Sequence, residues 1–256
     1  MKRALNNALP KRVIISEFHT TNKLKKNERM KKLVVLSGAG ISAESGIKTF
    51  RDSDGLWENH KIEDVCTYDA WLKNPLLVLD FYNNRRRQLS EVEFNLGHKT
   101  LVEFENYFDV TIITQNVDNL HERAGSKKVV HLHGELTKAR STKDDSLIYE
   151  NGIKDINIGD LCEKGSQLRP HIVWFGEAVP MIEKAAEIVS KADILIVVGT
   201  SLVVYPAAGL LHYFKKANPI WYIDPNPSRN IYSSKNITII AEKASIGLQQ
   251  LLLSIK

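Results

Sequence analysis

Lys32-Leu33-Val34-Val35-Leu36-Ser37-Gly38-Ala39-Gly40-Ile41-Ser42-Ala43 is the stretch that decides the fold. Its apolar run Leu33–Leu36 shows no alternation, which suits a strand buried on both faces. The run leads straight into G-x-G-x-x-A. Small residues there let the chain turn tightly, bring backbone N–H groups against a pyrophosphate and leave a helix N-terminus facing that charge. A purely structural tight turn is the alternative. An ordinary nicotinamide dehydrogenase would add an acidic residue ~20 positions on, closing a second strand. Glu58 stands at that distance, but Leu56-Trp57-Glu58-Asn59-His60 has no strand pattern, which argues against that class.

Outward from this stretch, Val110–Ile113, Val129–Leu132, Ile172–Phe175, Ile194–Val198, Ile220–Ile223 and Ile237–Ile240 repeat the short Val- and Ile-rich pattern. Helix-length segments at Met181–Lys191, Pro206–Lys216 and Ala244–Ile255 alternate with or follow them. Such alternation predicts an α/β fold, a Rossmann-like doubly wound parallel sheet. Residues 52–96 and 139–167 break the pattern, being polar with little strand character. They are expected to form a second, smaller lobe made from two insertions, with the core at about 30–51, 97–138 and 168–256.

The 256 residues, 43% hydrophobic and 25% charged, suffice for one large domain or a domain with a lobe. No run approaches the ~18 apolar residues of a membrane span. The formal net charge of +5 is uneven: residues 1–29 hold eight Lys or Arg against Glu17 and Glu28, a surplus of six, which leaves the remainder at −1. A nearly neutral body argues against a nucleic-acid groove on the folded part. Residues 1–29 read as a flexible basic tail or a non-native start ahead of Met30; a targeting segment and a nucleic-acid arm are the alternatives. Two cysteines, Cys66 and Cys162, cannot make a disulfide framework, and a reducing cytoplasmic setting fits them.

The glycine turn continues through Glu44-Ser45-Gly46-Ile47-Lys48-Thr49-Phe50-Arg51 to Asp54-Gly55-Leu56-Trp57. Further motifs lie downstream: Thr114-Gln115-Asn116-Val117-Asp118-Asn119-Leu120-His121, His131-Leu132-His133-Gly134-Glu135-Leu136, Arg169-Pro170-His171-Ile172-Val173-Trp174-Phe175-Gly176-Glu177, and Gly199-Thr200-Ser201 with Val203-Val204-Tyr205-Pro206-Ala207. Five motifs in this order, from about Lys32 to the C-terminus, closely resemble those of the sirtuins, NAD-dependent protein-lysine deacylases.

The resemblance implies NAD as co-substrate. It implies cofactor contacts from Gly38, Ala39, Gly40, Ser42, Ala43, Glu44, Ile47, Thr49, Phe50, Arg51 and Trp57, and from Gln115, Asn116, Val117, Asp118 and His133. Gly199, Thr200, Ser201, Asp224, Pro225, Asn226 and Ala244 complete that set. Asn116 and Asp118 are the implied polar contacts of the nicotinamide pocket. Asn116 and His133 are the implied catalytic residues, with His133 as the base that deprotonates a ribose hydroxyl, a role that an imidazole pKa of about 6.5 suits. Products would be nicotinamide, the deacylated lysine and O-acyl-ADP-ribose. His131 is expected to be structural and to face the other side of the sheet; His98, His121 and His171 are also read as structural. The substrate would be acylated lysine on many proteins, bound as an added strand between Phe175-Gly176-Glu177 and Val203-Val204, with Val173 and Phe175 lining the acyl-lysine tunnel. No membrane partner is expected.

Tyr82 and Arg85 lie three apart, so on a helix they share a face and can converge on a carboxylate. They resemble the acyl-pocket pair of class III sirtuins of bacterial type, which remove succinyl and malonyl groups; deacetylation should persist. A solvated basic face is the other reading of Arg85-Arg86-Arg87.

Three features depart from the family pattern. Lys48 replaces a common proline. Asp224-Pro225-Asn226 replaces the usual Asn-x-Glu or Asn-x-Asp. The cysteine pairs that commonly bind zinc in the small lobe are missing: that interval offers Cys162 alone, with Ser141 near the first ligand position. One thiolate and no local histidine cannot close a tetrahedral site, so no zinc is expected. Rival readings are a mono-ADP-ribosyltransferase using the same pocket and a non-enzymatic NAD or ADP-ribose sensor.

Overall fold

The computed structural model describes residues 29–48, 60–215, 217–227 and 236–256, and the backbone alone at 56–57. Thr49, Phe50, Arg51, the Trp57 side chain and all but the last of residues 1–29 lie outside the described residues. The strands are β1 (Lys32–Ser37), β2 (Leu56–Trp57), β3 (His60–Lys61), β4 (Asp109–Thr114), β5 (Val129–His131), β6 (Gly134–Ser141), β7 (Ile148–Glu150), β8 (Leu168–Ile172), β9 (Ile194–Val198), β10 (Ile220–Ile223) and β11 (Ile237–Ile240). The helices are α1 (Ala39–Ala43), α2 (Ile62–Val65), α3 (Tyr68–Lys73), α4 (Pro75–Gln88), α5 (Leu96–Phe104), α6 (Leu120–Ala124), α7 (Ile182–Ser190) and α8 (Ala244–Ile255).

A six-stranded sheet runs in the order β11-β10-β9-β1-β4-β5, and all its pairings are parallel. The apolar runs dictate this. In β1, Leu33 and Val35 face a core shared with Leu101 and Phe104 of α5 and Leu248 and Leu251 of α8. Val34 and Leu36 face the opposite core, with Ala185 and Val189 of α7 and Leu210. A side-chain period of two therefore feeds two cores, and each fully buried aliphatic contributes about 1.5–3 kcal/mol. The fold is the doubly wound α/β class, carrying a smaller lobe. In that lobe α2, α3 and α4 pack on the antiparallel sheet β7-β6-β8 through Val65, Trp71, Val78, Phe81, Leu136, Ala139 and Trp174.

Three sequence expectations need correction. The lobe takes more of the chain than expected: β6 begins at Gly134 and β8 at Leu168, so residues 134–138 and 168–172 lie in the lobe's sheet and not in the core. The run Ile172–Phe175 is not a strand of the main sheet: the strand there is β8, which pairs antiparallel with β6 at the edge of the small sheet. Pro170 within it has no N–H to donate, which confines it to an edge. Residues 207–213 form a 3-10 helix, not the expected α-helix over 206–216. Gly209 weakens α-helix there, and its N–H takes the shorter i→i+3 bond to the Pro206 carbonyl at 2.9 Å.

Candidate active site

Strand order reverses its direction of growth at β1, which has β4 on one side and β9 on the other. At such a switch point the connections leave the carboxyl edge in opposite directions and open a crevice for a ligand. The turns after β1 and β9 meet there. Gly40 N–H donates to the Gly199 carbonyl at 2.8 Å, and Gly38 N–H to that of Val198 at 3.1 Å. A Cβ on Gly40 would lie 2.7 Å from Gly199 Cα, and one on Gly38 2.7 Å from Thr200 Cβ. Gly199 itself has φ +62°. The glycines let two turns touch, and this places the N-terminus of α1 at the crevice. Gln115 Nε2 donates to Thr200 Oγ1 at 3.1 Å and links the β4 turn to the same point.

Below the turn sits a buried polar cluster. Asn116 Nδ2 donates to the Gly38 carbonyl at 3.2 Å and to Ser42 Oγ at 3.1 Å. Ser42 Oγ–H donates to Asp118 Oδ2 at 3.0 Å, and Leu120 N–H to Asp118 Oδ1 at 3.1 Å. Burial pushes the Asp118 carboxyl above its ordinary range, and those two donors oppose the shift. Ile47 is buried against the small lobe, and Val117 packs on the same cluster. His133 Nδ1 lies 3.0 Å from the Gln115 carbonyl, and among the described residues its Nε2 has no partner. Nδ1 facing an acceptor carries the proton, so Nε2 holds a lone pair. Burial holds this imidazole below its usual value of 6.5, although the Gln115 bond acts the other way.

The other expected contacts differ in exposure. Ala39 and Ser201 are half-buried, Ala43 is exposed, and Ala244 is buried at the start of α8. The Glu44 carboxylate accepts from Ser245 N–H at 3.0 Å, so its charge sits on the N-terminus of α8. Asp224 is buried and accepts from Asn226 N–H at 2.9 Å; Pro225 and Asn226 are exposed.

At the end of β8 and just beyond it, Ile172 and Trp174 point into the core while Val173 is half-buried and Phe175 is 49% exposed. Gly176 is exposed, Val203 is 64% exposed and Val204 36%. Phe175 bridges in parallel to Thr67, its N–H donating to the Cys66 carbonyl at 2.9 Å. Glu177 is committed elsewhere: its carboxylate takes bonds from Arg169 at 2.6 and 2.9 Å, from Arg140 at 3.3 Å and from Trp174 N–H at 2.8 Å. Tyr82 and Arg85 lie one turn apart on α4 and are 1% and 5% exposed. Tyr82 Oη donates to Cys66 Sγ at 3.8 Å and accepts from Trp174 Nε1 at 3.1 Å; Arg85 Nη1 donates to Gln88 at 3.1 Å. Burial pushes the Cys66 thiol up to about 12 against the Tyr82 bond and the Arg85 charge.

Sequence reasoning missed three features. His131 does not face away from His133: its Nδ1 lies 3.0 Å from the Asn116 carbonyl, next to the carbonyl His133 holds. Residues two apart along an extended chain share a side, and that period was the available signal. Cys66 beside Tyr82, and the Arg140–Glu177–Arg169 group, join distant segments that no local pattern connects. His98 and His121 are fully buried, the first in the capping box of α5 and the second 2.9 Å from Ser37 Oγ.

Residues 38–206 match the Sir2 family. An NAD-dependent protein deacylase of Helicobacter pylori (strain ATCC 700392 / 26695) is 57% identical over 223 residues, 87% of this chain and 96% of that protein. One of Bacteroides thetaiotaomicron is 53% identical over 227 residues, 87% of this chain and 97% of that protein. The solved structure of a Sir2 homologue in complex with NAD superposes with a TM-score of 0.78 at 38% identity, covering 88% of this chain and 89% of that one.

Proposed function

The chain belongs to the Sir2 family, and on that premise we propose that it is an NAD-dependent protein-lysine deacylase that removes succinyl and malonyl as well as acetyl groups. The carrying observation is the meeting of the Gly38–Gly40 and Gly199 turns at the switch point, with the Asn116–Ser42–Asp118 cluster and His133 Nε2 beside them. The donor set suits NAD: with the Gly38, Gly40 and Ile41 N–H groups spent on carbonyls, Ala39 N–H at the start of α1 is left for a phosphate, and Asn116 and Asp118 for a carboxamide. When bound, NAD supplies a ribose carbon that accepts the acyl oxygen as nicotinamide leaves. The protein's part is to orient and to move protons. Asn116 and Asp118 fix the pose, the small lobe screens water, and His133 Nε2 takes a proton from a ribose hydroxyl. The exposed segments Phe175-Gly176 and Val203-Val204 receive an extended peptide through the main-chain groups left after Phe175 N–H is spent on the Cys66 carbonyl and the Val204 carbonyl on Ala208 N–H. No helix among the described residues is long and apolar enough to cross a membrane.

Mass-spectrometric product analysis with acetyl- and succinyl-lysine peptides tests this. Nicotinamide and O-acyl-ADP-ribose appear only when NAD is present. Label transfer from NAD to protein without O-acyl-ADP-ribose would instead establish a transferase, and no nicotinamide release a sensor.

Tyr82 and Arg85 carry the acyl preference in this proposal. Arg85→Met removes a forked cation that no neutral side chain replaces. Desuccinylation falls about 10–100-fold in kcat/KM while deacetylation changes less than about threefold. Equal losses on both substrates remove the carboxylate clamp. The small lobe, in the same proposal, needs no zinc: Cys162 Sγ donates to Ser141 Oγ at 3.5 Å and accepts from Ser166 N–H at 3.4 Å. Dialysis against a strong chelator then leaves Tm and turnover unchanged; a fall in either shows a structural metal.

A further inference from the structure

Two histidines hold successive carbonyls of the loop after β4 and differ in the groups that their second nitrogens meet. His131 presents Nδ1 to the Asn116 carbonyl at 3.0 Å and Nε2 to Glu122 Oε1 at 2.8 Å. A carbonyl and a carboxylate both accept, so a ring bonded to both carries a proton on each nitrogen. The His131 side chain is 7% exposed, and Glu122 reaches it from α6. The resulting cation is buried close enough to Asp118 for its charge to favour the ionised carboxylate there, against burial and the smaller opposing charge of Glu122. Asp118 is 5% exposed, and neither Ser42 nor Leu120 brings it a charge.

We infer that His131 is a positioning residue: paired with Glu122 as an imidazolium, it fixes the Asn116 carbonyl and provides a countercharge for the buried Asp118 carboxylate. Asn116 and Asp118 thereby keep the arrangement that NAD requires, an inference that rests on the NAD site proposed above. The groups facing this ring are Glu122 and His121 from α6, Asp118 from the loop after β4, and Glu135 from β6. Burial alone pulls the ring down, but the Glu122 bond and charge, the Glu135 charge and the Asn116 bond outweigh it and hold His131 above 6.5. His121, driven far down by burial and by the charges of His98 and His131, stays neutral. His131 therefore keeps its charge below its raised value and loses it as pH rises, so it governs the alkaline side. His133, shifted down, governs the acid side.

Glu122→Gln keeps an acceptor and removes the charge. The alkaline limb of kcat/KM for NAD should move about one pH unit downward with the acid limb unmoved. At about pH 8, KM for NAD should rise roughly fivefold while KM for the acyl peptide stays. Glu122→Asp, which restores the charge, should recover the alkaline limb. An unmoved alkaline limb, or equal rises in both KM values, overturns the inference. Nitrogen NMR of the wild-type ring supplies a readout independent of turnover: both His131 nitrogens are protonated at pH 7, and a neutral tautomer there overturns the inference. A doubly protonated ring, with NAD binding weakened by Glu122→Gln, supports it even if no acyl turnover is found, a result that would defeat the proposed function alone.

Discussion

Replacing His133 with alanine lowers NAD-dependent deacylation by about 10²–10⁴-fold, the usual worth of a positioned general base. The fold survives the change. The ring is half-buried and its one hydrogen bond among the described residues is to the Gln115 carbonyl, so the loss is about 1 kcal/mol and Tm falls by roughly 2–4 °C. The bond fixes the tautomer, and burial keeps the ring neutral to below pH 6.5, so Nε2 is available as a base across the neutral range. Protonation removes that lone pair, so the acid limb of the wild-type kcat/KM profile falls below pH 6.5 and follows a single group. Steady-state rates beside a thermal melt decide the matter. Activity within tenfold of wild type in a folded His133→Ala protein would move the base elsewhere.

How far the sequence reaches depends on whether neighbours in the chain are neighbours in space. β1, β9 and β10 are unbroken apolar runs because both faces of the sheet are covered, so they are readable from composition alone. The glycine turn is legible as a tight passage from strand to helix, but the reason for its glycines is not: Gly38 and Gly40 are small because the Gly199 turn, some 160 residues on, presses against them. The run Arg85-Arg86-Arg87 divides by helical period. Arg86 is fully buried and donates to the Leu136 carbonyl at 2.7 Å and to Asn83 at 2.6 Å, whereas Arg87 is exposed beside Asp155. A count of positive charges gives no hint of a guanidinium used as a strut between α4 and β6. The same limit hid the partners of Glu177. Sequence places it in a substrate-binding turn, yet the side chains that hold its carboxylate come from β6 and β8, beside the N–H of nearby Trp174.

That carboxylate gives the largest expected loss of stability. Glu177→Ala removes the shared acceptor of two guanidiniums whose side chains are only 4% and 8% exposed, Arg169 and Arg140. A buried pair adds little over an apolar substitute, but breaking it leaves Arg169 without a carboxylate and Arg140 with only Asp145 at 3.8 Å, and costs about 3–5 kcal/mol. For a chain of this size that is roughly 10 °C in Tm. Burial pushes Glu177 up, and the Arg169 bond, the Trp174 N–H and both cations together bring it below 4.5. Arg169 is itself held below its ordinary value because burial outweighs the gain from Glu177, so it depends on that single carboxylate. The pH dependence has a definite sign. The contribution of Glu177 is complete above about 4.5 and is lost as pH falls through its lowered native value. Urea unfolding should therefore separate wild type from Glu177→Ala widely at pH 7 and progressively less below pH 4.5. Glu177→Gln, which keeps an acceptor without charge, should fall between them. The damage should also reach Tyr82 and the acyl pocket proposed around it, because Arg169 stacks on Trp174 at 3.3 Å and the Trp174 indole N–H donates to Tyr82. A released Arg169 frees that indole, so the KM for acyl peptide rises in step with the lost stability. An unchanged melt at pH 7 would mean that water or another carboxylate already satisfies the two arginines.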